Sequence, residues 1–532
     1  MNKKTISLIC LTAIYSVLFY DQHVGVNFLL FTLATLGFFF FQDKEAIKNK
    51  SVLILSFGAI FSASFAAIHG SYLSMWASIV SLMVLPGVFI NKRSNVFLDF
   101  LSTLVNIVTA TTFMFIDMIE SIKKDKGNGN GFLRLLKYIV PIVFIIIFFF
   151  IYRAMNPLFE KLTQDVAEIV SLGFVFFTLG GFTLVYSIYK QKRSKDADEW
   201  EKSKPINIIE ENTVLPQWNE GVAFSLLFTA LNIMLISVNF MDVNYLYLGD
   251  GMPDGITHKE FVHKGVGMLI LSIILGISIL LFFFRGALNF GKNKNLIKIL
   301  AFLWVAQNLF MVFSTGIRNG MYIDAALLTY KRIGVYFWLF FALIGLITLL
   351  VKLYKNKTVF YLARYNFNAL FIVLILSSAA DWDMVISDFN LNRAHQMDEI
   401  SSLDKNYMLS LSEGNISGLY DIKELDGFEV DSIYSYRDRY STNVNWLDYK
   451  VYDFLLDDIE GDWRSYSVRR ERVRNDINEL NDNGEIASVN LNSSYIKSLE
   501  PLIGITNLKE LDISNSNIKD WRYINEFKFL EN

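Results

Sequence analysis

Cysteine, proline and charge are all scarce in this chain of 532 residues. The single thiol, Cys10, sits in an apolar run, which excludes a disulfide framework and a thiolate metal centre. The seven prolines, with abundant Ile, Lys, Asn and Phe, fit an AT-rich bacterial genome. Charged residues make up 19% of the chain, against about 25% in soluble domains. What is abundant is apolar: 53% of residues are hydrophobic and the mean hydropathy is +0.35.

The net charge of −3 conceals a division. Residues 381–532 hold 30 acids and 16 bases, a net of −14, so residues 1–380 carry +11. The first part is built for lipid and the second for water. A soluble enzyme and a secreted disulfide module are thereby excluded. A nucleic-acid binder is excluded as well, because it would need a basic water-facing domain.

A spanning helix needs about 20 mainly apolar residues. Eleven segments qualify: 5–20, 24–41, 51–68, 72–90, 135–152, 170–189, 222–240, 266–284, 297–315, 334–353 and 366–379. Residues 96–120 place Asp99, Ser102, Thr103, Asn106 and Thr109 opposite Phe97, Leu101 and Val108. With basic clusters at both ends, this segment is expected to lie on the membrane surface as an amphipathic helix. If it crosses instead, the spans number twelve. The fold class is therefore an all-α polytopic membrane bundle over 1–380, with a cytoplasmic loop at 190–217 and an outer loop at 241–263. A soluble, mainly helical segment follows over 381–480, and then a short α/β repeat-bearing end over 485–532.

Loop bases set the orientation. Lys3, Lys4, Lys44, Lys48, Lys50, Lys92, Arg93, the bases of 190–204 and 285–294, and Lys352, Lys355 and Lys357 share one side. That side is expected to be the cytoplasm, with the N-terminus there and the acidic tail outside. The first apolar stretch lacks a cleavage site and reads as an anchor that stays.

In the end of the chain, Val489, Leu491, Ile496, Leu499, Leu502, Ile505 and Leu508 recur 22 positions later. Their counterparts are Leu511, Ile513, Ile518, Trp521, Ile524, Phe527 and Leu530. This period resembles short bacterial leucine-rich repeats, with strands expected at 488–491 and 510–513. Two units cannot enclose a solenoid core, so Leu511, Ile513, Ile518 and Trp521 are expected to form a surface for a protein partner or for self-association.

Candidate chemistry is sparse. Arg318, Tyr322, Asp324, Thr329 and Arg332 fall at the outer boundary together with Glu260, against the positive-inside bias. Ionisable groups at that depth are usually paired, so Arg318 or Arg332 is expected to pair with Asp324 or Glu260. An anionic head-group or solute site is the functional alternative. His258 and His263 are five residues apart, the wrong spacing for two zinc ligands on one helical face, and Glu260 reads as a helix cap with Thr257. No catalytic set, cofactor, metal or nucleotide site is indicated, and Gly180 and Gly181 suggest helix packing.

Several motifs recur together: Asn156, Pro157 and Phe159; Tyr247, Leu248, Gly249, Gly255, Thr257 and Glu260; Arg318, Tyr322, Leu328, Thr329 and Arg332. With residues 387–393 and 462–466, they resemble the bacterial multi-pass membrane family known as domain of unknown function 4173, related to 4153. Here Asn156 replaces the usual Asp, and Leu327 stands where Gly is usual. The resemblance implies an inner-membrane protein and no known activity. Taken with the charge division, it leads to a scaffold or sensor-like component, with a transporter or lipid-handling protein as the alternative.

Overall fold

The computed structural model describes residues 3–92, 95–124, 131–163, 171–189, 199–200, 202–204, 206–208, 220–248, 258–285, 289–290, 294–397, 403–426 and 445–527, apart from 493, 495 and 497. Among the described residues, twelve long helices lie in its apolar part: α1 (Lys3–Phe19), α2 (Val26–Gln42), α3 (Lys50–His69), α4 (Tyr72–Asn91), α5 (Val96–Lys124), α6 (Gly131–Met155), α7 (Leu172–Tyr189), α8 (Glu220–Asp242), α9 (His258–Phe283), α10 (Lys294–Ala326), α11 (Tyr330–Tyr354) and α12 (Val359–Ser377). Among the described residues, eight helices are long and apolar enough to cross a bilayer. Three shorter ones, Ile6–Phe19, Val26–Gln42 and Gly267–Phe283, are also apolar. Ile54, Phe57, Leu226 and Met268 point outward and are exposed, as side chains facing lipid tails would be.

Two apolar cores hold the bundle. Leu11, Val52, Leu85, Val88 and Phe371 pack α1–α4 with α12. Phe224, Leu280, Trp304, Val305 and Leu346 pack α8–α11. Local signals set the helix ends. Asn49 caps α3 by accepting from the Val52 amide, and Gly70 ends it at φ +61°. Ser71 then caps α4.

Helix α5 departs from the expectation of a surface helix. Its polar residues do not meet water: Asp99, Ser102, Thr103 and Asn106 are all buried. Thr103 Oγ1 donates to the Met83 carbonyl at 2.5 Å, and Asp99 lies so close to Gly87 that any side chain there would overlap its carboxylate. Leu101, Leu104, Val108 and Ile116 are exposed apolar side chains on the same helix. A helix that turns polar groups inward and apolar groups outward is arranged for a lipid surround, and Val96–Met114 is one of the eight spanning candidates.

Several of the described loop bases lie at one end. Lys92 pairs with Asp43 and its carbonyl accepts from Asn49 Nδ2 at 2.7 Å. Lys298 donates to Asn356 at 2.9 Å, and Asn207 forms a bridge with Lys357. Phe97 stacking on Phe367 joins these two groups.

The tail packs on the other end. It comprises α13 (Trp382–Met397), α14 (Ile416–Asp426), α15 (Trp446–Glu460) and α16 (Val468–Asp482), then strands β1 (Ser488–Asn490) and β2 (Glu510–Asp512). The strands are parallel, with Val489 opposite Leu511, and Ser498 bridges Asp520 in the same sense. Both pairings are offset by the period seen in the sequence. Ile386, Leu419, Tyr452, Val473, Leu491 and Leu502 share one core with Ile333 of α11, so tail and bundle are continuous.

Candidate functional site

The outer-boundary cluster is dispersed by the structure. Arg318 pairs with Asp242 at the end of α8, with both side chains nearly buried. Asp324 instead faces Arg393 of α13 at 4.0 Å. Arg332 donates to the carbonyls of Ala326 and Leu327 and lies over the Tyr322 ring at 4.2 Å. Thr329 caps α11 through its carbonyl, which accepts from Arg332 and Ile333 at 3.0 Å each. Glu260 lies in the first turn of α9, and its side chain is outside the described residues, as are Gly249, Gly255 and Thr257. Of the expected partners, Asp324 thus faces Arg393 rather than Arg318, and Arg318 meets Asp242, one turn beyond Asn239. Arg332 acts on backbone because Leu327, at φ +67°, turns two carbonyls toward it.

The junction between tail and bundle brings together residues that the sequence did not connect. Arg469 Nη1 of α16 reaches both carboxylate oxygens of Asp381 at 3.3 Å, and its Nη2 reaches Glu413 at 3.3 Å. His69, the last residue of α3, stands 3.8 Å from Asp381 and meets the Ala379 carbonyl at 3.0 Å. Tyr330 donates to Asp383 at 2.7 Å. Burial opposes the Arg469 charge, but Glu413, Asp381 and Asp383 more than offset this and hold its pKa above the usual value.

Two cavities flank this cluster and share the wall Ser410–Glu413. The larger, about 590 Å³, lies against the bundle among Tyr72, Tyr330, Phe337, Trp382, Asp383 and Arg469. The smaller, about 440 Å³, is lined by Trp446, Lys450, Asp453 and Arg470. Lys450 donates to the carbonyls of Leu409 and Leu411 and to Asn415 Oδ1. Burial lowers its pKa to about 8 despite Glu413 and Asp383.

Further fasteners come from the sequence motifs. Asn390 exchanges two hydrogen bonds with the Leu328 backbone, at 2.7 and 3.0 Å. Ser465 accepts from the His23 amide and bonds Gln22, while the Tyr466 carbonyl accepts from the Val26 amide at 2.9 Å. The α1–α2 turn can approach this closely because Gly25 has no Cβ; one built there would lie 2.5 Å from the Tyr466 oxygen. Asn156 caps the short helix Pro157–Leu162.

The motifs at 318–332, 387–393 and 462–466 thus meet at the tail-bearing end. The family model described as "Domain of unknown function (DUF4153)" matches residues 8–422. The chain belongs to this DUF4153 family. The match covers the bundle and the tail up to α14, and it identifies the 4153 relative rather than the 4173 family that the motifs resembled. No curated protein and no solved structure matches the chain.

In this DUF4153 protein, Asp242, His69, Asp381, Glu413, Lys450 and Arg469 were missed from sequence. Spacing offered no signal for His69, Asp381 and Arg469, which are widely separated along the chain. At the repeat end, Ile518 is buried, Leu511 and Ile513 are half-buried, and Trp521 is 52% exposed.

Proposed function

We propose that this DUF4153 protein is a sensor-like membrane component whose tail binds a protein partner outside the cytoplasm and passes that event to the bundle. The observation that supports this reading is the buried Arg469–Asp381 contact, with Glu413 and His69 around it. It fixes the tail to the ends of α3 and α12, so a load on the tail acts on the helices. The partner surface is the repeat end, where Trp521 is exposed and β2 has β1 on one edge. We assign the basic end to the cytoplasm of a bacterial inner membrane and read 485–532 as leucine-rich-repeat-like units.

Two experiments test this. With Cys10 replaced by Ala, a Lys48→Cys variant is expected to label only from the cytoplasmic side and a Lys519→Cys variant only from outside. The same side for both overturns the topology. Photo-crosslinking from position 521 in cells is expected to trap one protein partner, and Leu511→Asp is expected to abolish the adduct. Adducts only to lipid, or adducts indifferent to Leu511→Asp, sink the partner reading.

A transporter or lipid-handling protein is the second reading. Its outer Arg/Asp cluster is committed to internal pairing, which weakens it. A polar stripe inside α10 keeps it in view.

A further inference from the structure

The cavity of about 590 Å³ at the junction draws its walls from the start of α4, the opening turns of α11, the start of α13 and residues Ser410–Glu413 of the tail. Its volume falls within the range of about 300–1,000 Å³ usual for small-ligand sites. Leu73, Ile333 and Phe337, all on spanning helices, supply apolar surface. Trp382 meets Phe337 edge-on, with 5.6 Å between ring centres. Tyr72 and Tyr330, which complete the aromatic lining, are 78% and 46% exposed and stand at helix ends, where interfacial aromatics gather. The cavity therefore joins lipid-facing helices to the water-suited tail.

The three carboxylates on its wall are not equivalent. Asp381 and Glu413 are both held by Arg469. Asp383 is not. Among the described residues it has no salt bridge, and its Oδ1 accepts from the Tyr330 hydroxyl at 2.7 Å. Lys450 acts on Asp383 and Glu413 from the neighbouring cavity, but its ammonium is bonded there to two backbone carbonyls and to Asn415. Ionisable groups at the edge of a bilayer are usually paired. Asp383 thus leaves a place for one cation, among aromatic rings, and this combination recognises an ammonium group.

A second observation concerns donors. Arg469 is 92% buried, and its Nε has no hydrogen-bond partner among the described residues. Ser412 Oγ, on the same wall, is also buried and without a partner there. A buried donor without an acceptor bears its desolvation penalty, which phosphate oxygens beside it would relieve. The lining asks for an ammonium and an oxyanion in one molecule. A purely anionic head group would meet the Asp383 charge uncompensated.

We propose that this cavity holds the head group of a zwitterionic membrane lipid, with its ammonium at Asp383 among Tyr72, Tyr330 and Trp382 and its phosphate toward Arg469 and Ser412. The acyl chains leave along the apolar surface of α4 and α11. The proposal rests neither on the partner surface of the repeat end nor on which side of the membrane the tail occupies.

The test is thermal unfolding of the purified full-length protein in a non-ionic detergent, with added phosphatidylethanolamine, phosphatidylglycerol of the same acyl chains, or free phosphoethanolamine. Phosphatidylethanolamine is expected to raise the midpoint by about 2–4 °C, saturably, and the other two to leave it unchanged. Asp383→Asn keeps an acceptor for Tyr330 but removes the charge, and is expected to weaken the apparent affinity about tenfold. Gly334 lines the cavity and has open space at its Cβ position, so Gly334→Leu is expected to fill the site and abolish the shift. Equal shifts with both lipids overturn the proposal, because the ammonium is then not read. A shift with phosphoethanolamine equal to that of the lipid overturns the lipid as source. A lipid effect unchanged in both variants overturns it too, by placing the lipid elsewhere. If Asp383→Asn does not fold, Gly334→Leu and the comparison of the two lipids give the same discrimination.

Discussion

Arg469 and Asp381 meet across the line where the lipid-suited part of the chain gives way to the water-suited part. One is 92% buried and belongs to the last long helix of the tail; the other follows the final apolar helix. Removing one partner leaves a charge without compensation in a closed site, which costs about 3–5 kcal/mol. Arg469→Met is therefore expected to release the tail. Limited proteolysis checks this: the tail should be cleaved faster while the bundle fragment persists. Unchanged protection would show that Ser465–Tyr466 and the apolar core suffice.

Gly25 makes an independent prediction about the same junction. A methyl group at this position meets backbone, the Tyr466 oxygen, which cannot rotate away. Gly25→Ala should cost about 1–3 kcal/mol through displacement of the α1–α2 turn. Gly37 has open space around its Cβ position, so Gly37→Ala in α2 is the matched control. A lower unfolding midpoint for the first variant but not the second is the expected result.

Arg332 is expected not to tolerate lysine. Its guanidinium clamps the carbonyls of Ala326 and Leu327 while its Cζ lies 4.2 Å from the centre of the Tyr322 ring, and an ammonium cannot do both. Arg332→Lys should lose about 1–2 kcal/mol, measured as a lower midpoint in detergent. Equal midpoints for the two proteins would mean the stacking contributes nothing.

Lys450 predicts a pH dependence with a definite sign. Its pKa is about 8 in the folded tail, chiefly from burial, and about 10.4 when unfolded. Between these values the unfolded chain holds more protons, so the contribution of this group to tail stability rises as pH increases from about 8 to about 10.4. Below pH 8 the buried charge is carried in both states and the penalty is constant. Hydrogen exchange of α15 amides, corrected for intrinsic rate, should show this slope. Lys450→Met should remove it.

Much of the architecture was legible because it depends on local chemistry. Long apolar runs, loop lysines and the 22-residue period are all statements about neighbours in sequence. The described apolar helices, the basic end and the parallel register of Val489 with Leu511 answer to them. For 96–120, periodicity reports that a helix has two faces, and it cannot report which neighbours each face meets. In a bundle the polar face turns inward, toward Met83 and Gly87.

By itself the sequence determined where the chain prefers lipid and where it prefers water, since that preference is a sum over the residues of each segment. Only the tertiary structure decided which charges are neighbours. Arg318 found Asp242 rather than the nearer Asp324, and Arg469 found Asp381 and Glu413, because buried charges must be paired and only folding brings the partners within reach.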